Sequence, residues 1–91
     1  MLKIVRVVVF GKVQGVWYRS WTAEQARSRV LSGWVRNRCD GSVEAVFSGF
    51  DHQINRMVES CHEGPPSADV QSVRADNYLG AEKSFGSFTI R

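Results

Sequence analysis

The sequence has 91 residues, 43% of them hydrophobic and 11% aromatic, with a formal charge of +3. That length supports one domain, spanning residues 1–91, and excludes two; the composition excludes a disordered chain. The charge excess is too small for a polybasic tail: it favours small anionic ligands by steering, and permits nucleic acid without arguing for it.

Residues 3–10, with Val7-Val8-Val9 at their centre, are β-branched enough to predict a strand buried on much of both faces. Gly11-Lys12-Val13-Gln14-Gly15-Val16 follows as a loop bracketed by glycines. The pattern then turns helical over residues 19–32, where Tyr18, Thr22, Ala26 and Val30 recur every fourth position beside Trp21 and Leu31. Thr22 and Gln25 have capping-box spacing, Ser20 is a rival N-cap, and Gly33 is placed to close the helix as a left-handed cap.

Two short strands, 34–39 and 42–48, flank Asp40-Gly41, the strongest short-range hairpin signal. A second helix is predicted over 51–62. Asp51 can cap it, Ile54, Met57, Val58 and Cys61 form its apolar face, and Gly64-Pro65-Pro66 stops it. Residues 68–78 read as a strand anchored by Val70 and Val73, with an irregularity between them. A polar loop over 79–84 leads to a final strand over 85–91, in which Phe88 and Ile90 alternate. The order β-α-β-β-α-β plus a terminal strand is the ferredoxin-like α+β arrangement. Its two helices should cover one face of an antiparallel sheet, since each has a single apolar face to bury. Trp34 is expected to pack between sheet and helix.

The fold alone carries no function. The best candidate for chemistry is the segment from Gly11 to Arg19. Its glycines let backbone N–H groups converge, the following helix offers a positive dipole end, and the Arg19 guanidinium matches phosphate oxygens. A glycine-bracketed loop can equally be a tight connection, with a solvated arginine at the helix start. Asn37 is the second candidate: asparagine is disfavoured inside a strand, so it either serves a site or holds a bulge.

Val9-Phe10-Gly11-Lys12-Val13-Gln14-Gly15-Val16-Trp17-Tyr18-Arg19 resembles the first signature of the acylphosphatase family. Gly33-Trp34-Val35-Arg36-Asn37, followed by Gly41-Ser42-Val43 and Gly49, resembles the second with its internal spacings kept. Tyr18 departs from the family's more usual phenylalanine. The resemblance implies a hydrolase that cleaves acyl phosphates to carboxylate and inorganic phosphate. Arg19 would bind the phosphoryl group together with the backbone amides of Gly15, Val16, Trp17, Tyr18 and Arg19 itself, and Asn37 would hold the attacking water. It implies no cofactor and no metal. Inorganic phosphate would be both product and weak inhibitor. Trp17 either flanks the acyl side of the substrate or packs at the surface.

Other chemistries fit poorly. A cysteine phosphatase needs an arginine six residues after the thiol; Ala45 follows Cys39 at that spacing, and Ser67 follows Cys61. No Asp-x-Asp pair exists for an aspartyl-phosphate enzyme. His52 and His62 sit at opposite ends of one helix, and Cys61 has no C-x-x-C partner, so a metal site is not expected. A nucleic-acid module on the same plan would carry an RNP1 run, which is missing. A phosphate-sensing domain remains a third class, because the same signature heads larger carbamoyl-phosphate-using proteins. Ending at Arg91, the chain reads as carrying no second domain. The two cysteines read as free thiols. The charged start and the absence of a long apolar run predict a cytoplasmic protein with no membrane contact; a monomer is expected.

Overall fold

A computed structural model of the chain describes residues 2–80, 82 and 85–91. The elements run β1 (Leu2–Lys12), α1 (Tyr18–Ser28), β2 (Ser32–Asn37), β3 (Val43–Phe50), α2 (Asp51–Cys61), β4 (Asp69–Asn77) and β5 (Thr89–Ile90). They build the ferredoxin-like α+β plan, with strand order β4-β1-β3-β2-β5. The pairs β1–β3, β1–β4 and β2–β3 are antiparallel, but β5 runs parallel to β2, so the sheet is mixed. Part of the loop expected over 79–84 lies outside the described residues. No helix among the described residues is long and apolar enough to cross a membrane.

Alternation along the strands sorts the two faces. Val5, Val7 and Val9 of β1, Val35 of β2, and Val43, Ala45 and Phe47 of β3 point to one core. Against them lie Ala23 and Ala26 of α1 and Ile54, Met57 and Cys61 of α2, so both helices cover that face. Burying each Val, Ile, Met or Phe side chain contributes roughly 1.5–3 kcal/mol. Phe88 extends this core by stacking on Phe47, with ring centroids 5.5 Å apart. Arg27 of α1 donates to the Phe88 carbonyl from Nε (3.2 Å) and Nη2 (2.8 Å), which holds the β5 segment beside α1.

The irregularity expected between Val70 and Val73 is a β-bulge. Phe10 pairs with Ser72 and Gly11 with Val70, which leaves Gln71 as the extra residue. Gly11 is required there. Its φ is +129°, and a Cβ would meet the Asp69 carbonyl oxygen at 2.3 Å.

Several expectations need correction. Helix α1 starts at Tyr18 and stops at Ser28, so neither Ser20 nor Thr22 caps it. The Thr22 hydroxyl instead donates to the Tyr18 carbonyl, 2.8 Å away and one turn back. Val30 is not a core residue: it is 88% exposed, at φ 58°. The Leu31 N–H donates to the Ala26 carbonyl (2.9 Å) and the Val30 N–H to that of Arg27 (3.1 Å). That pattern is a Schellman motif, so Val30 takes the left-handed position assigned to Gly33. Gly33 belongs to β2, where a Cβ would lie 1.9 Å from the Val46 carbonyl oxygen. Close strand approach, not helix closure, demands that glycine. Asp51 is the first helical residue of α2 rather than its cap, which is Phe50; its carboxylate still favours the positive helix end. The final strand is only Thr89–Ile90, and Ile90 is exposed.

Trp34 also lies opposite to expectation. Its neighbour Val35 faces the helices, so Trp34 sits on the helix-free face. There the Arg91 and Arg36 guanidinium carbons lie 4.6 and 5.6 Å from its ring centroid. The same face holds Glu44, buried between Arg6 and Arg36 with salt bridges to both. Burial alone would push the Glu44 carboxyl up; hydrogen bonds from Arg36 and Arg6, and their charges, outweigh it and hold it below the ordinary value.

Candidate active site

The segment joining β1 to α1 carries two left-handed residues, Gly15 at φ 74° and Trp17 at φ 70°. Alternating left-handed residues curl a backbone into a concave row of N–H groups, a shape suited to anions. A Cβ at Gly15 would meet nothing within 4 Å, so its backbone conformation is what calls for glycine.

Trp17 is the N-cap of α1 and no side chain caps it. The first intrahelical bond runs from the Trp21 N–H to the Trp17 carbonyl, at 2.9 Å. The N–H groups of Tyr18, Arg19 and Ser20 therefore have no intrahelical acceptor. No acidic residue occupies the first turn, so nothing on the helix competes for its positive end.

Val13, Gly15, Trp17, Tyr18, Arg19, Ser20 and Asn37 line one cleft of about 280 Å³. Arg19 thus meets Asn37 across a single concavity, although the two come from different elements. Arg19 is half-buried, and its Nη1 lies 3.4 Å from the Arg91 carbonyl oxygen, which it approaches as a donor. Asn37 is exposed at the last position of β2 and pairs in register with Val43. The β2–β3 ladder has no register shift, so Asn37 holds no bulge. Val16, by contrast, turns its side chain into the core and contributes only backbone to the loop.

Two contacts fix these parts. Tyr18 is buried, and its hydroxyl donates to the Cys61 carbonyl at 2.6 Å, which pins the start of α1 to the end of α2. Burial, reinforced by that neighbour, pushes the Tyr18 phenol well above its usual range, so it stays protonated. The Gln14 side chain donates to the Arg38 carbonyl (2.8 Å) and the Ser42 carbonyl (2.9 Å), joining the loop to the β2–β3 hairpin. Sequence reading passed over Gln14. Its signal was a long amide side chain between two glycines, in a loop too short to bury it locally. Within the hairpin, Asp40 accepts from the Ser42 hydroxyl (2.5 Å) and N–H (2.9 Å), and these bonds hold its carboxyl below the ordinary value.

The chain matches the acylphosphatase family over residues 5–90. The chain belongs to the acylphosphatase family. An acylphosphatase of Rhodospirillum rubrum is 52% identical over 73 residues, covering 80% of each chain. The acylphosphatase structure from Coxiella burnetii superposes with a TM-score of 0.92 at 34% identity, covering 99% of this chain and 93% of that one. The acylphosphatase of Bacillus subtilis gives 0.91 at 34% identity, covering 100% and 99%. Membership makes the chain an enzyme of the class that acts on acyl phosphates. The acylphosphatase signatures reach the cleft itself: the first supplies Gly15, Trp17, Tyr18 and Arg19, and the second supplies Asn37.

The remaining candidates separate from this cleft. Both cysteines are free; Cys39 is exposed in the hairpin and Cys61 is buried at the end of α2. Burial pushes the Cys61 thiol up to about 12, which leaves it inert as a nucleophile.

Proposed function

We propose that the acyl phosphate hydrolysis of this family is carried out here by Arg19, Asn37 and the amides of residues 15–19. The supporting observation is their convergence: a guanidinium, an uncapped helix start and an exposed strand-end amide share one cleft. The phosphoryl oxygens would take the Arg19 fork and the backbone N–H groups. Asn37 would orient a water molecule through its side-chain oxygen.

The chemistry asks little else of the protein. The water oxygen bonds to phosphorus as the bond from phosphorus to the acyl oxygen breaks. The carboxylate leaves with that electron pair, and a phosphoryl oxygen takes the proton of the water. A carboxylate is a weak base, so no general acid is needed to expel it. Positioning and charge stabilisation then carry the rate. Inorganic phosphate, the product, fits the same cradle and is expected to inhibit weakly and competitively. Alkyl phosphates, with poor leaving groups, should scarcely react.

The test compares two substitutions on benzoyl phosphate. Arg19→Ala should weaken phosphate inhibition and slow turnover together, and Arg19→Lys should not fully restore either, because an ammonium lacks the planar fork. Asn37→Ala should keep phosphate inhibition while turnover falls by about 100-fold or more, the scale of a single-donor deletion. A folded Asn37→Ala protein with near-normal turnover would remove Asn37 from the mechanism.

A further inference from the structure

We infer that the Trp17 side chain is a specificity-determining group, an aromatic platform for the acyl half of the substrate that favours aromatic over short aliphatic acyl phosphates. The inference rests on the proposed function and extends it from the phosphoryl half of the substrate to the other half.

Trp17 is 78% exposed, and its backbone is left-handed at φ 70° and ψ 17°. That conformation costs a non-glycine residue roughly 1–2 kcal/mol. Glycine would supply it freely, as Gly15 does two residues earlier at φ 74°. Packing gives no return for the strain, because the indole is absent from the core and the neighbouring ring pair joins Tyr18 to Trp21. A large apolar ring thus stands in water on a residue that lines the cleft together with Arg19, Ser20 and Asn37. Backbone strain without a packing reason concentrates at functional positions.

The rest of the cleft narrows the role. Val13 is buried, and Tyr18 is buried with its hydroxyl committed to Cys61. Arg19, Ser20 and Asn37 are polar. Among the described residues that line it, Trp17 is therefore the exposed one with an apolar side chain. An acyl phosphate has an anionic end and an end of variable hydrophobicity. If the anionic end takes the amides and Arg19, the acyl end must leave the cradle toward its rim. An indole there offers stacking area to a ring and little to a methyl group. Substrate burial against it would also recover apolar surface that the free protein leaves exposed.

The experiment measures kcat/KM for benzoyl phosphate and acetyl phosphate with the wild-type protein, Trp17→Gly and Trp17→Phe. Glycine keeps the left-handed backbone and removes only the ring. The benzoyl-to-acetyl ratio should fall about 5- to 10-fold in Trp17→Gly, mostly through KM, and Trp17→Phe should restore most of it. An unchanged ratio in Trp17→Gly, or equal losses on both substrates, would overturn the platform and leave Trp17 as a backbone element of the cradle. Failure of the wild-type protein to hydrolyse either acyl phosphate would overturn the underlying functional reading, a result distinct from the first.

Discussion

The Gln14 side-chain nitrogen lies 2.8 Å from the carbonyl oxygen of Arg38, the residue next to Asn37, so one side chain sets the spacing between the β1–α1 loop and the end of β2. Its second bond, to Ser42, grips the other side of the hairpin. Gln14→Ala removes both. Two neutral hydrogen bonds contribute about 1–3 kcal/mol together. We expect that loss in unfolding free energy, together with a roughly 10-fold fall in turnover, since the proposed water site moves relative to the cradle. Denaturant unfolding and turnover on one preparation check it; lowered stability with unaltered turnover would reduce Gln14 to a structural tie.

Val30 offers a gain. It is β-branched, left-handed and 88% exposed, so its side chain contributes little and its backbone is strained. Val30→Gly relieves about 1–2 kcal/mol of strain and gives back part of it as unfolded-chain entropy. The net expectation is a stabilisation of about 0.5–1 kcal/mol, or a Tm rise of roughly 2–8 °C for a chain of this size. A calorimetric scan showing a lower Tm would contradict the strain assignment.

Glu44 gives the pH dependence. Its folded carboxyl is held below the ordinary 4.5. A lowered folded value means the unfolded chain binds the proton more readily, so stability from the contacts of Glu44 with Arg36 and Arg6 is present above about pH 4.5 and is lost as pH falls through the folded value. Asp40 shifts in the same direction through its bonds to Ser42. Glu44→Gln should lower stability at pH 7 by about 2 kcal/mol, the scale of a charge-assisted hydrogen bond, and flatten the acid limb of stability against pH. Equal acid limbs in the two proteins would assign the acid sensitivity elsewhere.

The thiols should differ in reactivity. Cys39 is exposed, whereas Cys61 is buried and raised to about 12. A thiol reagent at pH 8 should titrate one group within minutes and the second only on unfolding. Cys39→Ser should abolish the fast phase. Two fast groups in the native protein would contradict the buried placement of Cys61.

The sequence made the strands, the hairpin and the two candidate residues that share the cleft legible, each for a local reason. Val7-Val8-Val9 cannot sit easily outside a sheet, and Asp40-Gly41 selects a turn. Gly15 and Arg19 carried a loop-and-helix signal, sharpened by family resemblance. What escaped was set by distant partners. Val30 extended a helical stripe in sequence, yet the chain had to turn before it for Leu31 to reach the core. Gly33 looked like a cap because the carbonyl of Val46, which excludes its Cβ, is invisible locally. Trp34 is apolar on a strand whose next residue, Val35, is also apolar, so alternation could not say which faced the helices. Gln14 and Tyr18 act on carbonyls of Arg38, Ser42 and Cys61, which only tertiary structure brings near.

The parallel pairing of β5 with β2 has a kinetic meaning. Trp34 meets Thr89, and Arg91 donates its N–H to the Val35 carbonyl at 2.8 Å, so this edge closes only after most of the chain has been laid down. Closing so long a loop is entropically uphill until the core that rewards it exists. The hairpin of β2 and β3 and the helix starts can form early from nearby residues. Arg19, whose guanidinium approaches the Arg91 carbonyl oxygen, is then among the last side chains to find its surroundings. The β5 seam is thus the clasp that finishes the cleft, and its loss would open the far end of the chain from Arg19.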